Sequence, residues 1–274
     1  MMTIRLVLGD LKDSARWGWW KLAVVVVTFA LLCGALVSQS SVPSDRTWGD
    51  YIAYMLAGAY VPLPDSQTPY QFPAPWMLAL LAIAFMTLGY PYENMIGVGK
   101  HVMLLSGSRS TWWLSKCMWV AVHATSFFIS AFGVSFVFVV LTGGSLSLVV
   151  TTGLANAMYL SSYTYTAGAS VAGFCVCAFL ALLAICLIQL LLSIMIRPML
   201  SYVFTVVYLF ASAFYDRDWL LGGFIMSIRV DGLAHDGLSP VVGSVLSGIV
   251  VVCVALVGMI VVSRIDIVEK EGVG

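Results

Sequence analysis

Six runs of predominantly apolar residues, each near the length that carries a helix across a bilayer, constrain this chain more than any other feature. They are 22–37, 76–90, 117–141, 171–196, 199–215 and 241–262. About 20 residues rising 1.5 Å each cover the roughly 30 Å of hydrocarbon. Backbone N–H and C=O groups find no water at that depth, so an open chain satisfies them by forming helix. Composition agrees. The chain is 61% apolar and 9% charged, against about 45–50% and about 25% in a soluble domain. The sequence therefore predicts an all-α membrane protein with six transmembrane helices.

Residues 1–21 read as an N-terminal amphipathic interfacial helix. Ile4, Val7, Leu8, Leu11 and Ala15 follow the helical period, while Arg5, Asp10, Lys12, Asp13 and Arg16 take the other side. Trp17, Trp19 and Trp20 then mark a water–lipid boundary, where indole rings prefer to sit. Residues 22–263 form the six-helix membrane domain and 264–274 a short tail. The alternative for the first run is a cleaved signal peptide, which would leave an odd number of spans.

Basic residues set the orientation. Arg5, Lys12, Arg16, Lys21, Lys100, Arg109, Lys116, Arg197, Arg264 and Lys270 gather on one face, against Arg46, Arg217 and Arg229 on the other. That positive-inside bias predicts a multi-pass protein of the cell membrane with both termini cytoplasmic. The loops carrying Asp45, Asp50, Asp65, Asp216, Asp218, Asp231 and Asp236 then face outward. Of the outer stretches, 142–168 is uncharged, and 219–228 is an apolar insert containing Gly222 and Gly223. Either can re-enter the membrane or stay outside it.

Site chemistry within the spans is sparse. His101, His123 and His235 stand on separate segments, with no metal-ligand spacing and no nucleophile–base arrangement. The six cysteines lie in or beside apolar runs and read as packing residues. Gly99-Lys100 is followed by His101 where a phosphate-binding loop needs Ser or Thr, and Asn94 stands where it needs Gly. No catalytic residue, metal or cofactor is expected in this chain, and no nucleic-acid partner. His123 and Gln189 are polar groups inside spans three and four, serving either as interhelical glue or as the lining of a substrate path. No Asp or Glu lies within a span, which counts against a proton- or sodium-coupled carrier.

The segment between spans two and three is the most informative. It runs from Glu93 through Gly97, Gly99, Lys100 and His101 to Val102-Met103-Leu104-Leu105 and Arg109, then reaches Trp112-Trp113-Leu114-Ser115-Lys116. A short apolar ridge flanked by glycines and basic residues suits docking into a groove on a cytoplasmic partner. The layout resembles the permease subunits of ABC-2-type exporters, the type V exporter fold. Glu93, Gly99, the Leu104-Leu105 pair, Arg109 and Lys116 follow the order of that family's coupling helix. Pro91 before the glutamate and the lack of an acidic motif in the last loop depart from its pattern.

The resemblance implies an ATPase-coupling role for Glu93, Gly99, Lys100, Leu104, Leu105 and Arg109. It also implies a separate dimeric ABC ATPase that holds ATP and Mg, and a homodimer or a sister permease within the membrane lipid. The cargo would be amphipathic: a peptide, a lipid-like molecule or a drug. Two alternatives stay open. One is a non-transporting immunity or sensor protein that binds a peptide through its outer loops, and the other is a secondary carrier.

Overall fold

The computed structural model describes residues 2–39, 45–59, 72–89, 92, 108–157, 166–215, 217–234 and 237–264. Among them there is no β-strand, only helices joined by a few isolated bridges. The α-helices are α1 Met2–Ser38, α2 Trp48–Met55, α3 Ala74–Met86, α4 Arg109–Thr142, α5 Thr152–Ala157, α6 Ala172–Met195, α7 Pro198–Phe214 and α8 Pro240–Arg264. Two 3-10 segments, Leu221–Ile225 and Ser227–Arg229, precede α8.

Helix boundaries follow local chemistry. Thr47 and Asp50 form a reciprocal capping box that starts α2. Gly143, in the left-handed conformation at φ 71°, closes α4. Arg197 is held extended because the following proline disfavours helical backbone, and Pro198 then opens α7. Pro240 opens α8 in the same way.

Among the described residues, four helices are long and apolar enough to cross a membrane: the Trp20–Ser38 part of α1, α4, α6 and α8. The protein is a multi-pass membrane protein. The two other expected spans are shorter helices, α3 with 13 residues and α7 with 17. Residues 2–21 and the span that follows belong to one continuous helix, Met2–Ser38. At 37 and 34 residues, α1 and α4 measure about 55 Å and about 50 Å, well beyond the thickness of the hydrocarbon. They run parallel, joined by Asp10 to Lys116 near their starts and by the edge-on rings of Phe29 and Phe127 further along.

Helix α6 is the central element. It packs against α4, α7, α8 and the first 3-10 segment, with Phe174, Cys177, Ala181, Ala184, Leu187 and Leu190 all buried. Lipid tails are as apolar as these side chains, so close backbone approach and polar ties must hold such helices together. Gly258 of α8 is one approach: a Cβ there would fall within the ring of Trp113. That ring is buried, and its Nε1 donates to Ala255 O at 2.9 Å. Gly258→Ala is expected to cost about 1–3 kcal/mol through overpacking. A lowered unfolding midpoint with unchanged helix content by circular dichroism would register it.

The short helices end where side chains from elsewhere take their last carbonyls. At the end of α3, Gln189 Nε2 donates to Ala84 O at 2.7 Å and Lys21 Nζ reaches Phe85 O at 3.5 Å. At the end of α7, the buried Arg229 donates from Nη1 to Ser212 O (2.7 Å) and Tyr215 O (3.2 Å), and from Nη2 to Ala213 O (2.6 Å). A cationic side chain at a helix C-terminus also meets the negative end of the helix dipole. Of 219–228, one of the two stretches with an open placement, Trp219 is exposed and residues 220–228 are buried, mostly as 3-10 turns, among α2, α6, α7 and α8. Enclosure by protein is what irregular backbone beside membrane helices requires.

Candidate coupling site

Of the residues expected to couple to a partner, Glu93, Gly99, Lys100, Leu104 and Leu105 lie outside the described residues, and Arg109 lies within them. Arg109 opens α4 at an exposed position, and its Nη1 donates to Ser263 O near the end of α8 at 3.1 Å. One turn later Trp113 makes its bond to Ala255, also on α8. Nearly one turn further, Lys116 Nζ reaches Asp10 Oδ1 on α1 at 2.7 Å, with the ammonium 5.3 Å from the centroid of the Trp112 ring. The lysine side chain is 1% exposed and the aspartate 10%. Thus the first two turns of α4 are bonded to α8 on one side and to α1 on the other. The opposite end of the same connector, where α3 stops, is held by Gln189 of α6 and Lys21 of α1.

Of the two candidate path-lining residues, His123 bonds within α4 and Gln189 bonds from α6 to α3. The His123 ring lies over Trp119 with centroids 4.1 Å apart, and its Nδ1 is 2.9 Å from Trp119 O within the same helix. A hydrogen bond there requires the proton on Nδ1, because a carbonyl only accepts. Gln189 is buried, bonded through Nε2 to α3, and its Oε1 has no partner among the described residues. These contacts give Gln189 an interhelical tie.

A second polar assembly lies at the other end of the bundle. Asp50 is fully buried, and its carboxylate accepts from Thr47 N (3.0 Å), Thr151 N (2.8 Å) and Thr151 Oγ1 (2.8 Å). Ser227 donates from N to Leu56 O and from Oγ to Ala53 O, and Arg229 Nε donates to Ala59 O at 2.7 Å. Burial lifts the Tyr51 phenol above its ordinary value, while its hydrogen bond with Thr142 pulls the other way. Segments that follow α1, α4 and α7 are therefore bonded into one layer at that end of the bundle. Sequence pattern places Asp50 and Arg229 among loop charges. Asp50 is read locally only as the capping partner of Thr47; its bond to Thr151 and that of Arg229 to Ala59 span 101 and 170 residues, and no local pattern announces those.

A family model described as Protein of unknown function (DUF2705) matches residues 23–268 of the chain. No curated protein and no solved structure matches it.

Proposed function

We propose that this chain, which belongs to the DUF2705 family of proteins of unknown function, is the six-span permease subunit of an ATP-driven exporter. A separate cytoplasmic ABC ATPase dimer hydrolyses ATP with Mg. The permease acts in the cell membrane with both termini cytoplasmic, as a homodimer or with a sister permease, and its cargo is amphipathic. The observation that carries this reading is the anchoring of the connector between α3 and α4. Force applied to residues 93–109 meets α4 at Arg109, and from there it has bonded routes into α8 through Trp113 and into α1 through Lys116. A motion of a docked partner would in this way change how the membrane helices pack. The spans carry almost no ionisable chemistry of their own, which suits a protein whose energy arrives from another chain.

Co-purification tests it. An ATPase subunit is expected to accompany the chain after mild solubilisation, and Lys100→Glu with Arg109→Glu is expected to reduce its recovery about ten-fold, a loss of roughly 1.4 kcal/mol. Absence of any ATPase, together with function that survives the charge reversal, would sink the reading. The bonded outer layer favours one second reading, a non-transporting protein that sequesters a peptide there. In that case Lys100→Glu leaves activity intact and substitutions at Asp50 remove it.

A further inference from the structure

The apolar surface of the bundle is not equally tall on all sides. On α8 the outward residues Val241, Val245, Ile249, Val252, Leu256 and Ile260 are all exposed, and they cover about 28 Å along the axis. Helix α7 exposes Met199, Val203, Val207, Phe210 and Phe214, about 22 Å of axis. Helix α3, which lies antiparallel to α7 through the Phe72–Phe210 and Phe85–Tyr202 ring pairs, exposes Ala74, Leu78 and Phe85, about 17 Å. These two short helices are neighbours, so their deficit falls on one continuous flank.

Polar groups bound that flank closely. Arg197 is exposed two residues before Met199, and Lys21 sits over the Phe85 ring, 4.8 Å from its centroid, where α3 ends. At the other end the chain does not continue outward beyond α7. It turns back, so that Tyr208, nearly two turns before the end of the helix, donates to Trp219 O at 3.2 Å and accepts from Leu221 N at 2.8 Å. The exposed Arg217 and Asp218 belong to this turned-back segment, and Trp219 is 66% exposed beside them. Charged side chains and an indole mark where lipid headgroups begin. A hydrophobic face longer than the hydrocarbon can tilt, but a shorter one must thin the bilayer or extend its flanking side chains.

We propose that the α3–α7 flank is a lipid-binding surface that holds the bilayer thinner than the α8 flank does, and so selects phospholipids with short acyl chains. This rests on the six-span reading, since α3 and α7 must lie in the membrane, and not on the ATPase partnership. The thinned strip lowers the height of hydrocarbon that a polar group must pass beside these helices.

Val207 and Val252 make a matched pair for the test, being 60% and 57% exposed on α7 and α8. A fluorescent dansylalanine is placed at Val207 in one variant and at Val252 in another. Each is reconstituted in vesicles of di-C14:1 phosphatidylcholine mixed equally with brominated di-C22:1 phosphatidylcholine. The Val252 reporter is expected to be quenched about two-fold more strongly than the Val207 reporter, and the order should reverse when the bromine is carried by the C14:1 lipid. Equal quenching of both reporters in both mixtures overturns the proposal. Failure of the six-span reading looks different, because the Val207 reporter would then be quenched by neither lipid. Cryo-electron microscopy of the unsubstituted protein in a nanodisc gives a second readout. Headgroup layers drawn several ångströms closer together beside α7 than beside α8 support the proposal, and uniform spacing refutes it.

Discussion

Arg229→Ala is expected to lower the unfolding midpoint of the detergent-solubilised protein by about 10 °C, corresponding to a loss of roughly 3–5 kcal/mol. The guanidinium donates to four backbone carbonyls, at Ala59, Ser212, Ala213 and Tyr215. Three of these are the end of α7, which lacks a glycine cap of its own, since Tyr215 continues in extended conformation. Truncation removes this donor from the buried carbonyls of Ala59, Ser212 and Ala213, and each orphaned buried group costs about 1–3 kcal/mol. The effects do not add fully, because the site can relax and admit water. Arg229→Lys should recover less than half of the loss. An ammonium concentrates its three donors on one atom, whereas the four acceptors surround a planar fork. Melting of both variants together with the wild type, monitored by size-exclusion recovery after heating, would show that the arginine does not hold α7. A drop for alanine with full rescue by lysine would assign the effect to charge alone.

The long apolar runs were legible because the membrane imposes one length and one periodicity on whatever crosses it. Helices α4, α6 and α8 lie close to the runs 117–141, 171–196 and 241–262 for that reason. The starts of α7 and α8 were equally open to reading, since Pro198 and Pro240 act through purely local geometry. The ends of the short helices were not. The apolar run 76–90 continues past Met86, yet α3 stops there, its last carbonyls met by Gln189 and Lys21 from distant parts of the chain. The 219–228 insert is apolar enough for a half-helix, yet it folds as tight 3-10 turns that include Gly222 and Gly223 and lead to Arg229, itself bonded to the end of α7. In the candidate site, hydropathy could mark Arg109, Lys116 and the tryptophans as a membrane-edge cluster. It could not say that Lys116 turns inward to a carboxylate 106 residues earlier. Asp10 looked like part of a solvated face because amphipathic periodicity assigns sides of a helix and not partners.

That inward pair yields the second large effect. Asp10→Ala leaves the Lys116 ammonium, 1% exposed, without its carboxylate, and Lys116→Met leaves the carboxylate without its ammonium. Breaking a buried pair from one side costs about 3–5 kcal/mol, since a desolvated charge remains. The Trp112 ring near Lys116 softens the first of these losses by about 1 kcal/mol. Lys116→Met should therefore match or exceed Asp10→Ala, although the lysine is the more buried partner. Replacing both groups with apolar ones of similar size, Asp10→Leu with Lys116→Met, removes the desolvation cost together with the attraction. That double variant is expected to recover to within about 1–2 kcal/mol of the wild type. A coupling energy near zero in the cycle closed by the single variants Asp10→Leu and Lys116→Met would mean that the pair is solvated and contributes nothing. The double variant also separates stability from transmission. If α1 receives force through Lys116, a partner ATPase should still bind the folded double variant but lose the response of its hydrolysis rate to added substrate. A purely structural pair leaves that response unchanged.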